Sequence, residues 1–303
     1  MDGKGKRMVL RVGIIGLGKI GRACASNLIV DGFPVYALSR PSTVDFGDDG
    51  GELCASIADL CAVCDVIITC LASEEQMRAV YHGAGEDVGL IASARAHQTI
   101  VEMGTFPAAF KKPLADALSK KDVAMLDCPI SGIPPTVLAR NAILFVSGDE
   151  AVAQSIEPVI NSIAPQSSYV GSFGVGMTTK LVTNLLVVIN SMAAAEAMVL
   201  GNLSGLESQR MLEVVGPSAG GSAVLNYRGP MMAQRVYQPA AGAASIVMKD
   251  LIYIRDHARS VGAVTPLVDT AIDWFEQMIE EGRGEDECAG IYEVIRGASL
   301  GAP

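Results

Sequence analysis

Positive charge, aromatic side chains and histidine are all scarce in this chain of 303 residues. The formal net charge is -10, aromatic residues make up 5% of the chain, and there are three histidines. Nucleic acids and anionic membranes are bound through clustered cations, so the acidic balance argues against both as partners. The histidines lack metal-ligand spacing, so we expect no metal site.

Long apolar runs and a paired cysteine framework are also missing. No uninterrupted apolar stretch reaches the roughly 18 residues of a membrane-spanning helix, because Asn190, Ser191 and Glu196 interrupt the longest one. The seven cysteines are an odd number, and Cys61 and Cys64 form a CxxC pair. We interpret the cysteines as reduced thiols in the core of a cytoplasmic protein. A redox or metal-binding role for the CxxC pair is the alternative.

Hydrophobic residues and glycine, by contrast, are abundant. Half of the chain is hydrophobic and 32 residues are glycine, a composition that suits parallel strands covered by helices. The length suggests about two domains. Residues 1–8 are charged and have no apolar core, so we expect a flexible tail and no signal peptide.

The first half alternates short apolar runs with helical patterns, which indicates βαβ units and a mostly parallel sheet. Strands are predicted over residues 9–15, 34–38, 65–70, 99–103, 123–127, 144–147 and 168–170. Helices are predicted over residues 19–29, 57–61, 74–81, 107–119 and 150–163. Right-handed crossovers then predict a doubly wound, Rossmann-type α/β domain over residues 9–172.

The second half changes character after the glycine-rich stretch at residues 171–176. We predict an all-helical substrate and oligomerisation domain over residues 173–303, led by one long helix over residues 177–203. That helix is apolar almost all round and would span roughly 40 Å. Its burial requires a neighbouring domain or a second subunit, so we expect a homodimer or homotetramer built through it.

A GxGxxG motif directly follows the first predicted strand and opens the first predicted helix. It consists of Gly16, Leu17, Gly18, Lys19, Ile20 and Gly21. The glycines permit a tight turn, close approach of a pyrophosphate and close helix–strand packing, while the helix N-terminus supplies N–H groups and a positive dipole. We predict a dinucleotide site here; an ordinary strand–turn–helix is the alternative.

The residues after the second predicted strand bear on the choice of cofactor. An NAD enzyme would place an acid there for the ribose 2′-hydroxyl, but Ser39, Arg40 and Pro41 follow, with no acid before Asp45. An arginine suits a 2′-phosphate, and Ser39 and Thr43 could add hydroxyl donors. We therefore predict NADP in preference to NAD; a solvated surface arginine is the alternative.

Lys180 lies in the first turn of the predicted long helix, just after Gly174 and Gly176. A cation there opposes the helix dipole, and the dipole together with burial should lower the lysine pKa towards that of a general acid/base. Asn184 follows one turn later on the same face and could orient a substrate. A snorkelling surface lysine and a polar break in the helix are the alternatives.

Two further pairs of residues could carry chemistry. Ser131 and Gly132 follow the end of a predicted strand, where ligands of such sheets bind, and could present a hydroxyl and N–H groups to a carboxylate. Lys249 and Asp250 interrupt an apolar pattern. A plain turn and a solvated ion pair are the respective alternatives.

Four segments, taken in order, resemble the β-hydroxyacid dehydrogenase family of 3-hydroxyisobutyrate dehydrogenases and tartronate, glyoxylate or succinic semialdehyde reductases. They are residues 13–21, 127–132, 174–180 with Asn184, and 249–251, within a resemblance that covers nearly all of residues 9–300. The resemblance implies a Rossmann domain followed by a helical domain like that of 6-phosphogluconate dehydrogenase, usually in dimers or tetramers built on the long helix.

The resemblance implies an oxidoreductase that moves a hydride between NADP(H) and a small hydroxy acid or its semialdehyde or keto form. It implies Lys180 as general acid/base, a substrate site of Ser131, Gly132 and Asn184, and further cofactor residues at Leu71, Thr105 and Lys249. Ser39 and Arg40 resemble the Asn-Arg pair of NADP-preferring members. An imine or bulky-ketone reductase and a non-catalytic NADP-binding sensor are the alternative functions.

The chain departs from the family pattern at several positions. Residues 133–137 and then Arg140 and Asn141 stand where the family has glycines and small residues. Gly104 replaces a usual serine, and Ala72 replaces a usual proline. We expect a bulkier, stiffer and more apolar substrate loop that admits a larger or less polar carbonyl compound.

Overall fold

The structure is a computed structural model that describes residues 9–39, 41–85 and 87–301. The expected tail at residues 1–8 and the predicted cofactor residue Arg40 lie outside these described residues. The chain divides into two compact units, Met1–Lys180 and Leu181–Pro303.

The first unit consists of strands and helices that alternate along the chain. Its strands are β1 (Val12–Ile15), β2 (Val35–Leu38), β3 (Glu52–Cys54), β4 (Val66–Thr69), β5 (Gly83–Ala84), β6 (Asp87–Val88), β7 (Thr99–Glu102), β8 (Ala124–Asp127), β9 (Ile130–Ser131), β10 (Ile143–Ser147) and β11 (Ser168–Gly171). Its helices are α1 (Lys19–Val30), α2 (Ile57–Val63), α3 (Glu74–His82), α4 (Leu90–Ser93), α5 (Ala108–Ser119), α6 (Pro134–Leu138), α7 (Glu150–Ser155) and α8 (Glu157–Ile163).

The main sheet has the strand order β11-β10-β8-β7-β4-β1-β2-β3, with β9 paired to β10. Neighbours from β3 to β8 are parallel, whereas β10 runs antiparallel to β8. The chain reverses its direction of winding between β1 and β4, which is where sheets of this type bind dinucleotides. The predicted doubly wound, mostly parallel sheet is confirmed.

The central strands carry the sequence pattern that this position requires. Every residue of β1, β4 and β7 is buried, and β1 and β4 read Val-Gly-Ile-Ile and Val-Ile-Ile-Thr. Strands of a parallel sheet are covered on both faces by helices, so apolar residues run continuously and do not alternate with polar ones.

Several elements differ from the predicted ones. The helix predicted over residues 150–163 is two helices, α7 and α8, because Pro158 in the first turn of α8 lacks an N–H and disfavours helical geometry before it. Strands β3, β5, β6 and β9 were not predicted, since two or three residues show no periodicity. Residues 133–137, expected as a loop, largely form the short helix α6.

Helix α9 (Val175–Leu203) leads the helical part of the chain, as predicted. The later helices are α10 (Ser208–Val215), α11 (Ala223–Gln234), α12 (Ala244–Ser260), α13 (Pro266–Met278) and α14 (Ile291–Ser299). The described residues of the second unit contain no β-strand, so the all-helical prediction is confirmed. By length and composition alone, α9 could also cross a membrane, a property that buried core helices share.

Helix α6 is held against α1 by polar contacts. The buried Asn27 donates through Nδ2 to the Val137 carbonyl at 2.7 Å. Arg140 contacts both carboxylate oxygens of Asp31 at 2.8 and 2.9 Å and donates to the Ser162 carbonyl at 2.7 Å. Arg140 therefore anchors the segment that contains α6 to the C-terminal end of α1.

Replacing Asn27 with alanine should lower the free energy of unfolding by about 0.5–1.5 kcal/mol, because the Val137 carbonyl loses the Asn27 amide and retains the Arg140 N–H at 2.9 Å. Ser26→Ala is the matched control, since the Ser26 hydroxyl donates to the Arg22 carbonyl of its own helix and its loss should change stability by less than about 0.5 kcal/mol. Urea denaturation measures both variants. Equal losses would contradict the anchoring role of Asn27.

Candidate active site

The last residues of four parallel strands lie in one row at the carboxyl edge of the sheet. Ile15 is paired with Thr69, Thr69 with Glu102, and Glu102 with Asp127. With strands spaced 4.7–4.9 Å apart, the row spans roughly 14 Å. The fingerprint turn and the predicted cofactor residues after β4 and β7 follow this row directly, so the edge is the candidate site of the first unit.

The fingerprint glycines meet three different demands. Gly16 has a φ of +106°, and a Cβ there would lie 2.1 Å from the Cys70 carbonyl oxygen. A Cβ on Gly21 would lie 2.1 Å from the Gly16 carbonyl oxygen. At Gly18, the N-cap of α1, a Cβ would meet no described atom within 4 Å. This open space beside a helix N-terminus fits a pyrophosphate.

The other predicted cofactor residues of the first unit also lie at this edge. Lys19 and Ile20 form the first turn of α1, and Leu17 precedes it. Leu71 and Thr105 are half-buried in the segments that follow β4 and β7. The edge thus brings together the predicted cofactor residues from three strand ends.

The segment after β2 holds several of its polar groups in contacts with neighbouring residues. Ser39 is exposed and its N–H donates to the Cys54 carbonyl at 2.8 Å. The Thr43 hydroxyl is buried and donates to the Leu38 carbonyl at 3.0 Å, so it stabilises the segment and is not presented to a phosphate. The carboxylate of Asp45 forms an ion pair with Arg22 at 2.9 Å.

Helix α9 begins at Val175, two residues before the predicted start. Lys180 therefore lies in the second turn, and the prediction of a first-turn position was wrong. The helix starts early because the Ser147 hydroxyl accepts the N–H of Gly176 at 2.9 Å. The helix dipole acts mainly within the first turn, so it influences Lys180 less than the sequence suggested.

A carboxylate from the sheet holds the beginning of α9. Asp127 Oδ2 accepts the N–H of Met177 at 2.8 Å, and the Ser147 hydroxyl donates to the Asp127 carbonyl at 2.9 Å. Gly176 allows this close approach, since a Cβ there would lie 2.5 Å from the Phe145 carbonyl oxygen. Lys180 thus lies three residues after Met177, whose N–H is bonded to the end of β8.

Three ionisable residues, Glu102, Lys111 and Asp127, form a fully buried charged cluster under the site. The ammonium of Lys111 forms an ion pair with Asp127 and donates to the Gly104 carbonyl at 3.1 Å. Glu102 accepts the Gly104 N–H at 2.7 Å and bonds to the Thr69 hydroxyl. Burial raises the pKa of Glu102, against the opposing charge of Lys111.

Sequence reasoning missed Lys111, although a signal was present. Lys111, Leu114 and Leu118 are the buried residues of α5, and their spacing of three and four residues marks one helical face. A lysine on that face, with apolar residues following it, indicates a buried cation that needs a partner.

The Gly104 departure from the family pattern has a steric explanation. A Cβ on Gly104 would lie 2.4 Å from the Phe106 ring and 2.5 Å from Glu102 Oε1. The position is therefore filled by neighbouring side chains, and a serine could enter only if they moved.

The predicted substrate residues Ser131 and Gly132 lie at the beginning of the α6 segment. Ser131 belongs to β9 and pairs with Ile143, so it is held on a strand. A Cβ on Gly132 would lie 2.8 Å from the Ala142 side chain and 2.9 Å from the Thr136 hydroxyl. Ser131 is therefore held by strand pairing, and Gly132 leaves no room for a side chain.

In the second unit, Asp250 joins two predicted site residues. Its Oδ2 accepts from Asn184 Nδ2 at 2.8 Å, and its Oδ1 lies 3.4 Å from Lys249 Nζ. Asp250 is only 9% exposed, whereas the Lys249 side chain is 34% exposed, so the pair is partly withdrawn from solvent. Sequence reasoning did not identify Asp250 as a partner of Asn184, because the two are 66 residues apart.

The CxxC pair has the environment of packed core thiols. Cys61 and Cys64 are buried, and burial raises their pKa to about 11 and about 12. A thiol of this kind is a poor nucleophile or metal ligand at neutral pH. Across the described ranges, no group of three or more potential metal-binding side chains occurs.

Comparisons with known proteins decide the family. Residues 11–171 match the NAD-binding domain of 6-phosphogluconate dehydrogenase, and residues 174–295 match the NAD-binding domain of NADP-dependent 3-hydroxyisobutyrate dehydrogenase. The chain is 31% identical over 296 residues to L-threonate dehydrogenase of Cupriavidus necator, covering 97% of this chain and 98% of that protein. The chain belongs to the β-hydroxyacid dehydrogenase family.

Two further comparisons agree with this assignment. This β-hydroxyacid dehydrogenase is 28% identical to 2-(hydroxymethyl)glutarate dehydrogenase of Eubacterium barkeri, covering 94% of each chain. The chain is 25% identical in sequence to a 3-hydroxyisobutyrate dehydrogenase from Salmonella typhimurium. The crystal structure of that protein matches with a TM-score of 0.84 over 94% of this chain and 99% of that chain. The two relatives named above are dehydrogenases that act on hydroxyl groups. The chain is therefore an NAD(P)-dependent dehydrogenase of CH–OH groups.

Replacing Glu102 with glutamine tests the raised pKa of this β-hydroxyacid dehydrogenase. An acid whose pKa is higher in the folded than in the unfolded chain binds more protons when folded, so its contribution to stability falls as pH rises above the ordinary value of 4.5. Glu102→Gln should therefore gain stability relative to the wild type between about pH 5 and pH 8.

Urea denaturation across that pH range measures the difference, and Glu75→Gln, at an exposed position of α3, is the control. If the wild type instead gained stability over Glu102→Gln as pH rose, Glu102 would be ionised and favourably paired in the folded chain.

Replacing Gly18 with alanine tests the open space beside α1. The φ of -75° at Gly18 suits any residue, so the variant should fold normally. The added methyl would occupy the expected pyrophosphate position, and the dissociation constant for NADPH should rise about tenfold or more. Calorimetric titration measures it, with Gly297→Ala, also in open space, as control. Unchanged NADPH affinity would place the dinucleotide elsewhere.

Proposed function

We propose that this dehydrogenase transfers a hydride between NADP(H) and a small hydroxy acid or its semialdehyde or keto form, with Lys180 as general acid/base. One observation carries the proposal: the backbone of Met177, one turn before Lys180, is bonded to Asp127 in the same strand-end row that bears the fingerprint. A proton-transfer group must lie within hydrogen-bond reach of the reacting oxygen, and this edge is where the fold binds its ligands.

The proposed chemistry uses few groups of the chain. Bound NADP(H) would accept or supply the hydride. In oxidation, neutral Lys180 takes the proton of the substrate hydroxyl; in reduction, protonated Lys180 gives a proton to the carbonyl oxygen. Ser131 and Gly132 would hold the substrate through a hydroxyl and an N–H. Asp250 accepts from the Asn184 amide nitrogen, which orients the amide oxygen of Asn184 as an acceptor for a hydroxyl or an ammonium group.

We assign residues 9–172 to NADP binding and residues 173–303 to substrate binding and oligomerisation. The proposed cofactor residues are Gly16, Leu17, Gly18, Lys19, Ile20, Gly21, Ser39, Arg40, Leu71, Thr105 and Lys249. The preference for NADP is supported by Arg40 and by the engagement of Asp45, the first acid after β2, with Arg22. A carboxylate held in an ion pair competes poorly for a ribose hydroxyl.

The substrate is proposed to be a hydroxy acid or the corresponding oxo compound. L-Threonate and 2-(hydroxymethyl)glutarate, which name the activities of two relatives, are both hydroxy acids. Helix α6, anchored by Asn27 and Arg140, adds bulk next to Gly132 where the family has small residues. We therefore expect activity on these two acids and on bulkier analogues.

We also infer a cytoplasmic homodimer or homotetramer assembled through residues 177–203. Four apolar residues on α9, each more than half exposed, support this: Val182, Leu186, Leu200 and Leu203. Apolar side chains exposed near both ends of one helix indicate a surface that associates, and the buried thiols suit a reducing compartment.

Replacing Lys180 with alanine should lower kcat by roughly 10²- to 10⁴-fold and leave the dissociation constant for NADPH unchanged. NADP(H) absorbance is followed with L-threonate, 2-(hydroxymethyl)glutarate and 3-hydroxyisobutyrate in oxidation, and with short aldehydes, bulky ketones and cyclic imines in reduction. Lys112→Ala, at an exposed lysine, is the control. Loss of NADPH binding in Lys180→Ala would contradict the catalytic role, and turnover of imines alone would favour an imine reductase.

Replacing Arg40 with alanine should weaken binding of NADPH but not of NADH, because only NADPH carries the 2′-phosphate that the guanidinium would contact. Loss of such a charged contact should raise the dissociation constant for NADPH about tenfold. Fluorescence titration with both nucleotides measures the ratio. Equal changes for the two nucleotides would argue against 2′-phosphate recognition by Arg40.

A further inference from the structure

The charged cluster of Glu102, Lys111 and Asp127 does more than fill the interior of the first unit. We propose that Lys111 and Asp127 are positioning residues, which fix the start of α9 and the loop after β7 relative to each other and so set the location of Lys180. This inference rests on the proposed role of Lys180 as general acid/base.

Asp127 uses both carboxylate oxygens for this purpose. One oxygen is paired with the Lys111 ammonium, and the other accepts the N–H of Met177 at 2.8 Å. Three residues of helix rise by about 4.5 Å, so Lys180 is tied through a rigid turn to the carboxylate. A displacement of the Met177 amide moves the backbone of Lys180 with it.

Lys111 extends the same connection to the loop after β7. Its ammonium donates to the Gly104 carbonyl at 3.1 Å, while the Gly104 N–H is held by Glu102 at 2.7 Å. Both peptide groups that flank Gly104 are therefore bonded to the cluster. Thr105, a proposed cofactor residue, follows immediately, so the cluster joins the cofactor loop to the helix of Lys180.

Stability alone does not account for such a cluster. Replacing a buried ion pair with apolar residues of similar volume is often neutral or stabilising, because desolvation offsets the attraction. What apolar packing cannot supply is a set of directional bonds to three particular backbone groups: the Met177 N–H, the Gly104 carbonyl and the Gly104 N–H. All three groups belong to segments that carry proposed site residues.

The double variant Lys111→Met/Asp127→Leu separates positioning from stability. It removes both charges together and leaves neither one buried without its partner. We expect a Tm lowered by several degrees, because the Met177 N–H and the Gly104 carbonyl each lose a partner, a kcat lowered by roughly 10- to 100-fold, and a KM changed much less than kcat. Leu60→Ala, in the buried core next to Gly13, is the control; it should lower Tm and leave kcat unchanged.

A second, milder variant keeps the test decisive if the double variant does not fold. Ser147→Ala removes the acceptor of the Gly176 N–H and retains the ion pair. It should lower kcat several-fold with little change in the dissociation constant for NADPH. A wild-type kcat in Ser147→Ala would then overturn the positioning role.

Lys180→Ala completes the set and distinguishes the two proposals. If the cluster acts through Lys180, adding Lys111→Met/Asp127→Leu to Lys180→Ala should lower the residual rate less than twofold, since the two changes remove one function. If Lys180→Ala is slow but the folded double variant keeps the wild-type kcat, Lys180 retains its role and positioning by the cluster is wrong. If Lys180→Ala turns over normally, the proposed function itself is wrong.

Discussion

The carboxylate of Asp127 is the group on which the described site depends most. It is fully buried, and an ammonium and a peptide N–H offset its charge. Those two partners belong to α5 and α9, and the ammonium also bonds to the loop after β7. One buried charge therefore fixes the end of β8, the loop after β7 and the first turn of the long helix.

The cofactor side of the same edge depends on three glycines, which have no side chains. Gly16 and Gly21 let β1, β4 and α1 approach each other, and Gly18 leaves open space at the N-terminus of α1. The first turn of α1 thus has space for an anion, while the first turn of α9 is already bonded to the Asp127 carboxylate. The two helix N-termini at this edge have different partners, which is consistent with one binding a dinucleotide and the other carrying the proton-transfer group.

Local patterns made much of the fold predictable. The buried runs of β1 and β4, the GxGxxG turn and the apolar length of α9 are all readable without tertiary information. The start of α9 was not, because it depends on acceptors from Ser147 and Asp127, which lie 29 and 50 residues away in sequence. The roles of Lys111 and Asp250 were not predicted for the same reason. A buried charge is identified by its partner, and these partners are close only in the folded chain.

Lys180 is proposed to transfer the proton to or from the reacting oxygen. The most direct measurement is a crystal structure of the dead-end complex with NADPH and the hydroxy acid that is oxidised fastest, a pair between which no hydride can pass. We predict Lys180 Nζ at about 2.6–3.2 Å from the hydroxyl oxygen of the substrate. A different side chain at that oxygen, with Lys180 directed away from it, would show that Lys180 is not the proton-transfer group.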